Sequence, residues 1–335
     1  MPLRIGILGA GAFASRRHLP VLVSDPRVSV VAACRRDPEQ LDVFSDHFGI
    51  PHRYTDWHEM LENEPLDGVV IATPHSVHHE QAAAALRKGL HVLLEKPMAL
   101  NPQDAEDLQA LASNRRLCFI VAFNPPYWPH TEALREGIAA GRIGRLECVE
   151  LSWIGSVDAV FGRAPMPANS PGVVKPTLFR SDASANGGGG LMDGGGHLIS
   201  ELLWVTGLPV ERLVSVTDRY PDDRRAALSL MLAGGILATV HYVGDSANPE
   251  RRLRSAYYGS AGTAVCRGLP FKITWETGDG LDVVSEDRMP SPPTPVGDWL
   301  DCIASGSMPR GSATHGAQVT RVLAGAYESA GKHCI

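Results

Sequence analysis

No stretch of the chain strings together the roughly 18 apolar residues that a membrane-crossing helix requires. The N-terminus enters an apolar run at Leu3–Leu8 with no basic region or cleavage site before it. The expectation is a cytoplasmic protein with no membrane partner. Cysteine is sparse and scattered: the six residues Cys34, Cys118, Cys148, Cys266, Cys302 and Cys334 form no C-x-x-C pair. That spacing argues against a disulfide framework and leaves reduced, mostly structural thiols. Basic charge is not in excess either, with 31 Lys and Arg against 37 Asp and Glu for a net charge of -6, which argues against a nucleic-acid partner. Internal repeats are absent. What remains is 335 residues, 44% hydrophobic and 20% charged, enough for two domains with cores of their own.

The chain opens with the β-type run Leu3–Leu8 followed by Gly9-x-Gly11-x-x-Ala14. In a strand–turn–helix, Gly9 allows the tight turn, Gly11 lets the backbone approach a pyrophosphate, and the small Ala14 lets the helix pack closely on the strand. The backbone of Ala12 and Phe13 then opens the helix, whose free N–H groups and positive dipole end point at the phosphates. Apolar and helical segments alternate after it. Val28–Cys34, Asp67–Ala72, His91–Leu94 and Leu117–Ala122 read as strands; Asp37–His47, Gln81–Lys88 and Pro102–Ser113 read as helices. Repeated β-α units imply a doubly wound parallel sheet over residues 1–122, with its ligand at the carboxyl ends of the strands.

Asn124-Pro125-Pro126 ends that pattern, and a helix is expected from about Thr131 to Ala140. Beyond it, Leu146–Trp153, Arg212–Asp218, Ala226–Leu232, Ile236–Val243, Leu253–Gly259 and Phe271–Glu276 are consecutive β-type runs, which predict an open, mainly antiparallel sheet in a second domain over 123–335. Val296–Ser305 and Gly316–Ser329 read as terminal helices. Gly155–Ser184, rich in Pro, Gly and Ala, is either a substrate-covering loop or a surface excursion.

Five elements in order carry a family resemblance: Gly9-x-Gly11-x-x-Ala14; Ala72-Thr73-Pro74 with His78; Glu95-Lys96-Pro97; Gly141-x-Ile143-Gly144; and Gly188-Gly189-Gly190-Leu191-Met192-Asp193-x-Gly195-x-His197. With them the chain resembles the glucose-fructose oxidoreductase/inositol dehydrogenase (Gfo/Idh/MocA) family along nearly its whole length. The resemblance implies an α/β protein with an N-terminal Rossmann domain and a C-terminal α/β domain, acting on a sugar, cyclitol or related polyol with a nicotinamide cofactor. It places Lys96, Asp193 and His197 at the hydride-transfer site, and Thr73, Pro74 and His75 on the nicotinamide side, with Glu95 and His78 among the cofactor-binding positions. Asn124, Tyr127 and Arg180 become substrate-side candidates, although Arg180 fits a structural ion pair equally well. Two departures stand out. Ser200-Glu201 follows the histidine where an aspartate is usual three residues on, and His75 stands where many relatives have Asn.

The chemistry can be argued from the residues as well. Taking a hydride from a carbinol carbon also requires a proton to leave its oxygen, so the site needs a base and a group that stabilises the developing alkoxide. His197 is the natural base, Lys96 the natural charge, and Asp193, four residues before His197, would share its helical face. An isolated Asp-x-x-x-His pair is more often structural than catalytic; here the glycine-rich context together with the family resemblance reverses that balance, and Gly194-Gly195-Gly196 suggests close packing against cofactor or substrate. His75, His78 and His79 lack the supporting ligands of a metal site, so no metal is expected. Arg35 and Arg36 end the second strand where NAD-specific sites carry an acid, so NADP is preferred and NAD remains possible. An apolar sheet face implies a homodimer or homotetramer. Two other classes share these motifs: a nucleotide-sensing regulator without turnover, and an NAD-dependent glycosidase that oxidises transiently.

Overall fold

A computed structural model describes residues 1–165, 172–248 and 250–332; Cys334 lies outside these. The chain divides into two compact units, one of Met1–Ala122, Pro165–Ala185 and Pro293–Ala317, the other of Phe123–Ala164, Asn186–Pro292 and Gln318–Ile335. A single cut between 122 and 123 therefore does not describe them.

In the first unit the strands β1 (Leu3–Leu8), β2 (Val28–Cys34), β3 (His52–Tyr54), β4 (Gly68–Ile71), β5 (His91–Leu94) and β6 (Phe119–Val121) form one sheet in the order β3-β2-β1-β4-β5-β6. Every pairing is parallel. The intervening helices are α1 (Ala12–Arg17), α2 (Leu19–Ser24), α3 (Pro38–Phe48), α4 (Trp57–Asn63), α5 (His78–Arg87) and α6 (Pro102–Arg115). Asp37, Asp56 and Asn101 cap α3, α4 and α6 by accepting from backbone N–H groups of their first turns. The strand order reverses between β1 and β4, so their carboxyl ends flank the crevice where open α/β sheets bind ligands. β3 and α4 were not expected from the sequence; a three-residue strand with His52 and Arg53 exposed carries almost no apolar signal, and α4 is only seven residues long.

The second unit begins with α7 (Pro129–Ala139) and β7 (Leu146–Ile154). The short α8 (Ala183–Asn186) ends where the chain passes from the first unit back to the second; α9 (Gly196–Thr206) follows, then β8 (Val210–Thr217), β9 (Arg225–Leu232), β10 (Ile236–Val243), β11 (Arg252–Gly259), β12 (Gly262–Gly268), β13 (Lys272–Thr277) and β14 (Gly280–Ser285). The sheet order is β14-β13-β12-β11-β7-β10-β9-β8. All pairs are antiparallel except β7 with β10. The expected open, mainly antiparallel sheet is present, enlarged by β12 and β14. Its buried face includes Leu151, Leu230, Val240, Tyr257 and Ile273. Gly137 of α7 lies so close to β13 that a Cβ there would fall 2.4 Å from the Trp275 ring.

The last helices are α10 (Pro295–Ser305) and α11 (Ala313–Lys332). α10 returns to the first unit because Trp299, 0% exposed, fills the space that Gly68 leaves on β4, where a Cβ would lie 2.9 Å from its ring. The described part of the Gly155–Ser184 connection also returns there, and 166–171 lie outside the described residues. Val174 joins the first unit's core, and the backbone N–H groups of Val173 and Lys175 donate to Ser15 Oγ and Gln40 Oε1, each at 3.2 Å. Residues 172–175 thus pack on α1 and α3 rather than forming a free surface excursion. Among the described residues no helix is long and apolar enough to cross a membrane.

Candidate active site

β1 ends in Gly9, at φ +89°, where a Cβ would lie 2.6 Å from the Ala72 carbonyl carbon and oxygen. Both the conformation and the clearance demand glycine. The turn is thereby seated on the end of β4, while the Gly9 and Ala10 N–H groups donate to Cys34 O at 3.0 and 3.1 Å and tie it to the end of β2. Gly11 is extended and caps α1 without a side chain. A Cβ on Gly11 would meet no protein atom nearer than 3.8 Å, so the backbone there is open to close approach. The first helical bond of α1 runs from Ser15 N to Gly11 O, which leaves the Ala12, Phe13 and Ala14 amides as the first-turn donors. This donor set fits the phosphates of a dinucleotide.

Arg35 lies against the same turn: its Nη1 donates to Ala10 O at 2.9 Å. Its buried Nε has no hydrogen-bond partner among the described residues, and burial lowers its pKa from the ordinary value. The nearby acid, Asp37, is turned to α3, where it accepts from Gln40 N. Arg36 is exposed.

The segments after β4 and β5 are locked together by His78. Its Nδ1 lies 2.8 Å from Pro97 O and its Nε2 3.0 Å from Thr73 O. It is fully buried, and burial outweighs the two carbonyls in lowering its pKa. His78 is therefore internal scaffolding rather than part of a cofactor-facing wall, because both ring nitrogens are engaged by backbone. Thr73 Oγ1 donates to Gln81 Oε1 at 2.7 Å. His75 is 2% exposed and meets Phe179 edge-on at 5.0 Å; Arg180 lies over that Phe179 ring at 4.6 Å. His79 reaches Asp107 at 2.9 Å, the His75 and His78 rings lie 5.5 Å apart, and no group of three or more potential metal ligands occurs among the described residues. Glu95 and Lys96 are buried at the carboxyl end of β5. Glu95 Oε1 pairs with His18 Nε2 at 2.7 Å, a contact between residues 77 apart that no local pattern announces.

In the second unit, Leu191–Gly195 forms one π-helical turn that runs directly into α9. Asp193 is on the π turn and His197 in the first turn of α9. Asp193 is 8% exposed and His197 half-buried. The His197 ring lies 6.1 Å from Phe123, edge to face, and 6.2 Å from Trp128, which was not anticipated. Trp128 stacks on His130 at 5.2 Å, and His130 on Phe271 at 3.6 Å; burial pushes His130 down to about 3, so it is neutral. Pro125–Tyr127 forms a short turn closed by Tyr127 N on Asn124 O at 2.8 Å, and Tyr127 is buried. The glycines around Asp193 pack on protein: Cβ atoms on Gly190 and Gly194 would fall 2.4 and 2.6 Å from the Tyr242 ring, and one on Gly195 2.6 Å from Leu191 Cδ1. That corrects the expectation that the run packs against cofactor or substrate; neighbouring side chains already occupy the space. Ser200 and Glu201 are buried too, Glu201 accepting from Tyr257 Oη at 3.2 Å.

A doubly wound sheet with a glycine turn at its switch point, coupled in one chain to a second α/β unit, defines a dinucleotide-binding protein. Residues 3–123 match the oxidoreductase family with an NAD-binding Rossmann fold, and 131–265 match the GFO/IDH/MocA C-terminal domain. The chain belongs to the Gfo/Idh/MocA family. It is 31% identical over 268 residues, 78% of this chain and 74% of the relative, to dTDP-3,4-didehydro-2,6-dideoxy-alpha-D-glucose 3-reductase of Streptomyces antibioticus. The fold matches levoglucosan dehydrogenase in complex with NADH at TM-score 0.82 and 20% identity, covering 99% of this chain and 98% of that one. It also matches a 3-ketoreductase from Actinomadura kijaniata in complex with TDP-benzene and NADP at TM-score 0.77 and 21% identity, covering 98% of each.

Proposed function

We propose that this oxidoreductase moves a hydride between a nicotinamide cofactor and a CH–OH or keto carbon of a sugar, cyclitol or related polyol. The observation that carries the reading is the glycine turn at the β1/β4 switch point, with Gly11 clear of protein to 3.8 Å and the first-turn amides of α1 behind it. The names of the relatives, a nucleotide-sugar ketoreductase and a levoglucosan dehydrogenase among them, support the substrate class. The residues that hold the cofactor in this reading are Gly9, Gly11, Ala12, Phe13, Ala14, Arg35, Arg36, Thr73, Pro74, His75, Glu95 and Lys96.

When bound, the nicotinamide supplies the hydride acceptor or donor. His197 takes the hydroxyl proton in oxidation and returns it in reduction; its half-buried place in the first turn of α9, four residues after Asp193, supports that role. Lys96 carries the charge that stabilises the alkoxide, and Asp193 orients imidazole and substrate. Asn124, Tyr127 and Arg180 complete the substrate contacts. NADP is the preferred cofactor: Arg35 stands at the end of β2, where NAD-specific sites carry an acid, and lies on the turn through its bond to Ala10 O, while the Asp37 side chain accepts from the first turn of α3.

The second unit also supplies the oligomer contact, a homodimer or homotetramer. Val214 and Val216 of β8 and Leu237 of β10 share the outer sheet face and are 54–56% exposed. Light scattering at micromolar concentration should find no monomer. The deciding experiment for the chemistry screens sugars, cyclitols and keto sugars with both cofactors and then compares His197→Ala. The variant should lose about 10²- to 10⁴-fold in kcat while cofactor affinity stays within about threefold. Near-normal turnover would remove His197 from the mechanism.

A further inference from the structure

The amides of Gly189–Met192, which start the helical run bearing Asp193 and His197, have no local side-chain cap: Gly190 occupies the cap position. A helix start leaves up to four N–H groups to be satisfied from elsewhere. Here two remote side chains do it. Asp223, 0% exposed in the β8–β9 connection, accepts at Oδ2 from Leu191 N at 2.7 Å, and at Oδ1 from Gly189 N at 3.2 Å and the Tyr327 hydroxyl at 2.5 Å. Its carbonyl accepts from Gly190 N at 2.7 Å. The Tyr327 oxygen, on α11, accepts in turn from Gly189 N at 3.0 Å and Met192 N at 3.2 Å. Four successive amides thus end on Asp223 and Tyr327.

The glycines make this approach possible. A Cβ on Gly189 would lie 2.2 Å from Asp223 O, and one on Gly188 2.5 Å from Tyr327 Oη. The segment has no slack, and its start can shift only if these bonds break. A carboxylate facing several N–H donors and a hydroxyl also completes the electrostatics of a helix N-terminus.

We infer that Asp223 and Tyr327 are positioning residues: they set the placement of the helical run that presents Asp193 and His197. The inference rests on the assignment of those two residues to the reaction. Neither Asp223 nor Tyr327 touches substrate in this account. Their effect reaches the chemistry through the turn, where displacements on the scale of 1 Å can cost about 10²-fold in rate.

Tyr327→Phe keeps the ring and removes the hydroxyl; Asp223→Asn keeps the shape but turns an NH₂ toward amide donors. Both are compared with Leu108→Ala, a buried core change in α6 of the first unit that lowers stability and removes none of these bonds. Hydrogen exchange followed by mass spectrometry, with no substrate present, should accelerate about tenfold or more over 188–193 in the first two variants and not in the control. On a substrate from the screen, kcat should fall about 10- to 100-fold with KM and cofactor affinity within about threefold. The double variant should lose little more than the worse single one, because the two act as one clamp. Unchanged exchange over 188–193 overturns the inference, and so does accelerated exchange with kcat no lower than in the control. Exchange is read without turnover, so accelerated exchange in a protein that oxidises or reduces no polyol would refute the sugar reading and leave the clamp standing.

Discussion

Replacing Glu201 by Gln should remove the pH dependence that one buried carboxyl imposes on stability. Glu201 lies on α9, one turn beyond His197, and is 2% exposed. Burial, outweighing hydrogen bonds from Ser255 and Tyr257, pushes its pKa from 4.5 up to about 7. The folded state therefore holds this proton more tightly than the unfolded chain does. The stabilising contribution is complete below pH 4.5 and is lost as pH rises through 7. At about 1.4 kcal/mol for each tenfold change in acidity, the loss comes to about 3 kcal/mol by pH 8. Gln carries no such proton. Any fixed effect of the substitution on packing or hydrogen bonding appears at every pH; only the slope reports the charge. Thermal unfolding of both proteins from pH 4.5 to 8 should show Glu201→Gln gaining on the wild type by about 5–10 °C across that range. A difference in Tm that stays constant with pH would refute the argument and require that Glu201 be ionised in the fold at little cost.

Gly9→Ala combines a left-handed φ with a 2.6 Å clash against the Ala72 carbonyl; it should abolish dinucleotide binding in a fluorescence titration and destabilise the fold by about 2 kcal/mol or more, and unchanged affinity would refute the seating of the turn on β4. Arg35→Asp should lower the NADP/NAD ratio of kcat/KM by about 10- to 100-fold, the effect of losing a charge-assisted contact to phosphate and gaining a repulsive charge. An unchanged ratio would remove Arg35 from cofactor selection.

Much of the first unit was legible in the sequence because its signals are local. The run Leu3–Leu8 and the Gly9/Gly11 turn can be read within a dozen residues, and the helices expected at Asp37–His47 and Pro102–Ser113 are α3 and α6 to within a residue or two at each end. Val28–Cys34 and Ile236–Val243 were located to the residue, since continuous apolar runs and strict alternation are properties of short windows. Three strands escaped: β3 is three residues long and mostly exposed, and β12 and β14 have a glycine at one end or both. The resemblance ordered the candidate residues Lys96, Asp193 and His197, and the local motifs made them chemically sensible.

The rest was decided by contacts between residues far apart in the chain. Nothing near residue 299 indicates that Trp299 will fill the hollow at Gly68 and draw α10 back to the first unit. Nothing around Asp223 or Tyr327 marks them as the cap of a turn more than 30 residues from the one and 130 from the other. The glycine run illustrates the difference. Its sequence announces that something must come close; only the folded chain shows that the visitors are Tyr242, Asp223 and Tyr327. Sequence patterns report the conformations a short segment favours, because propensity, periodicity and capping act over a few residues. Which surfaces meet depends on burying apolar area and satisfying polar groups across the whole chain at once, and only the tertiary structure resolves that.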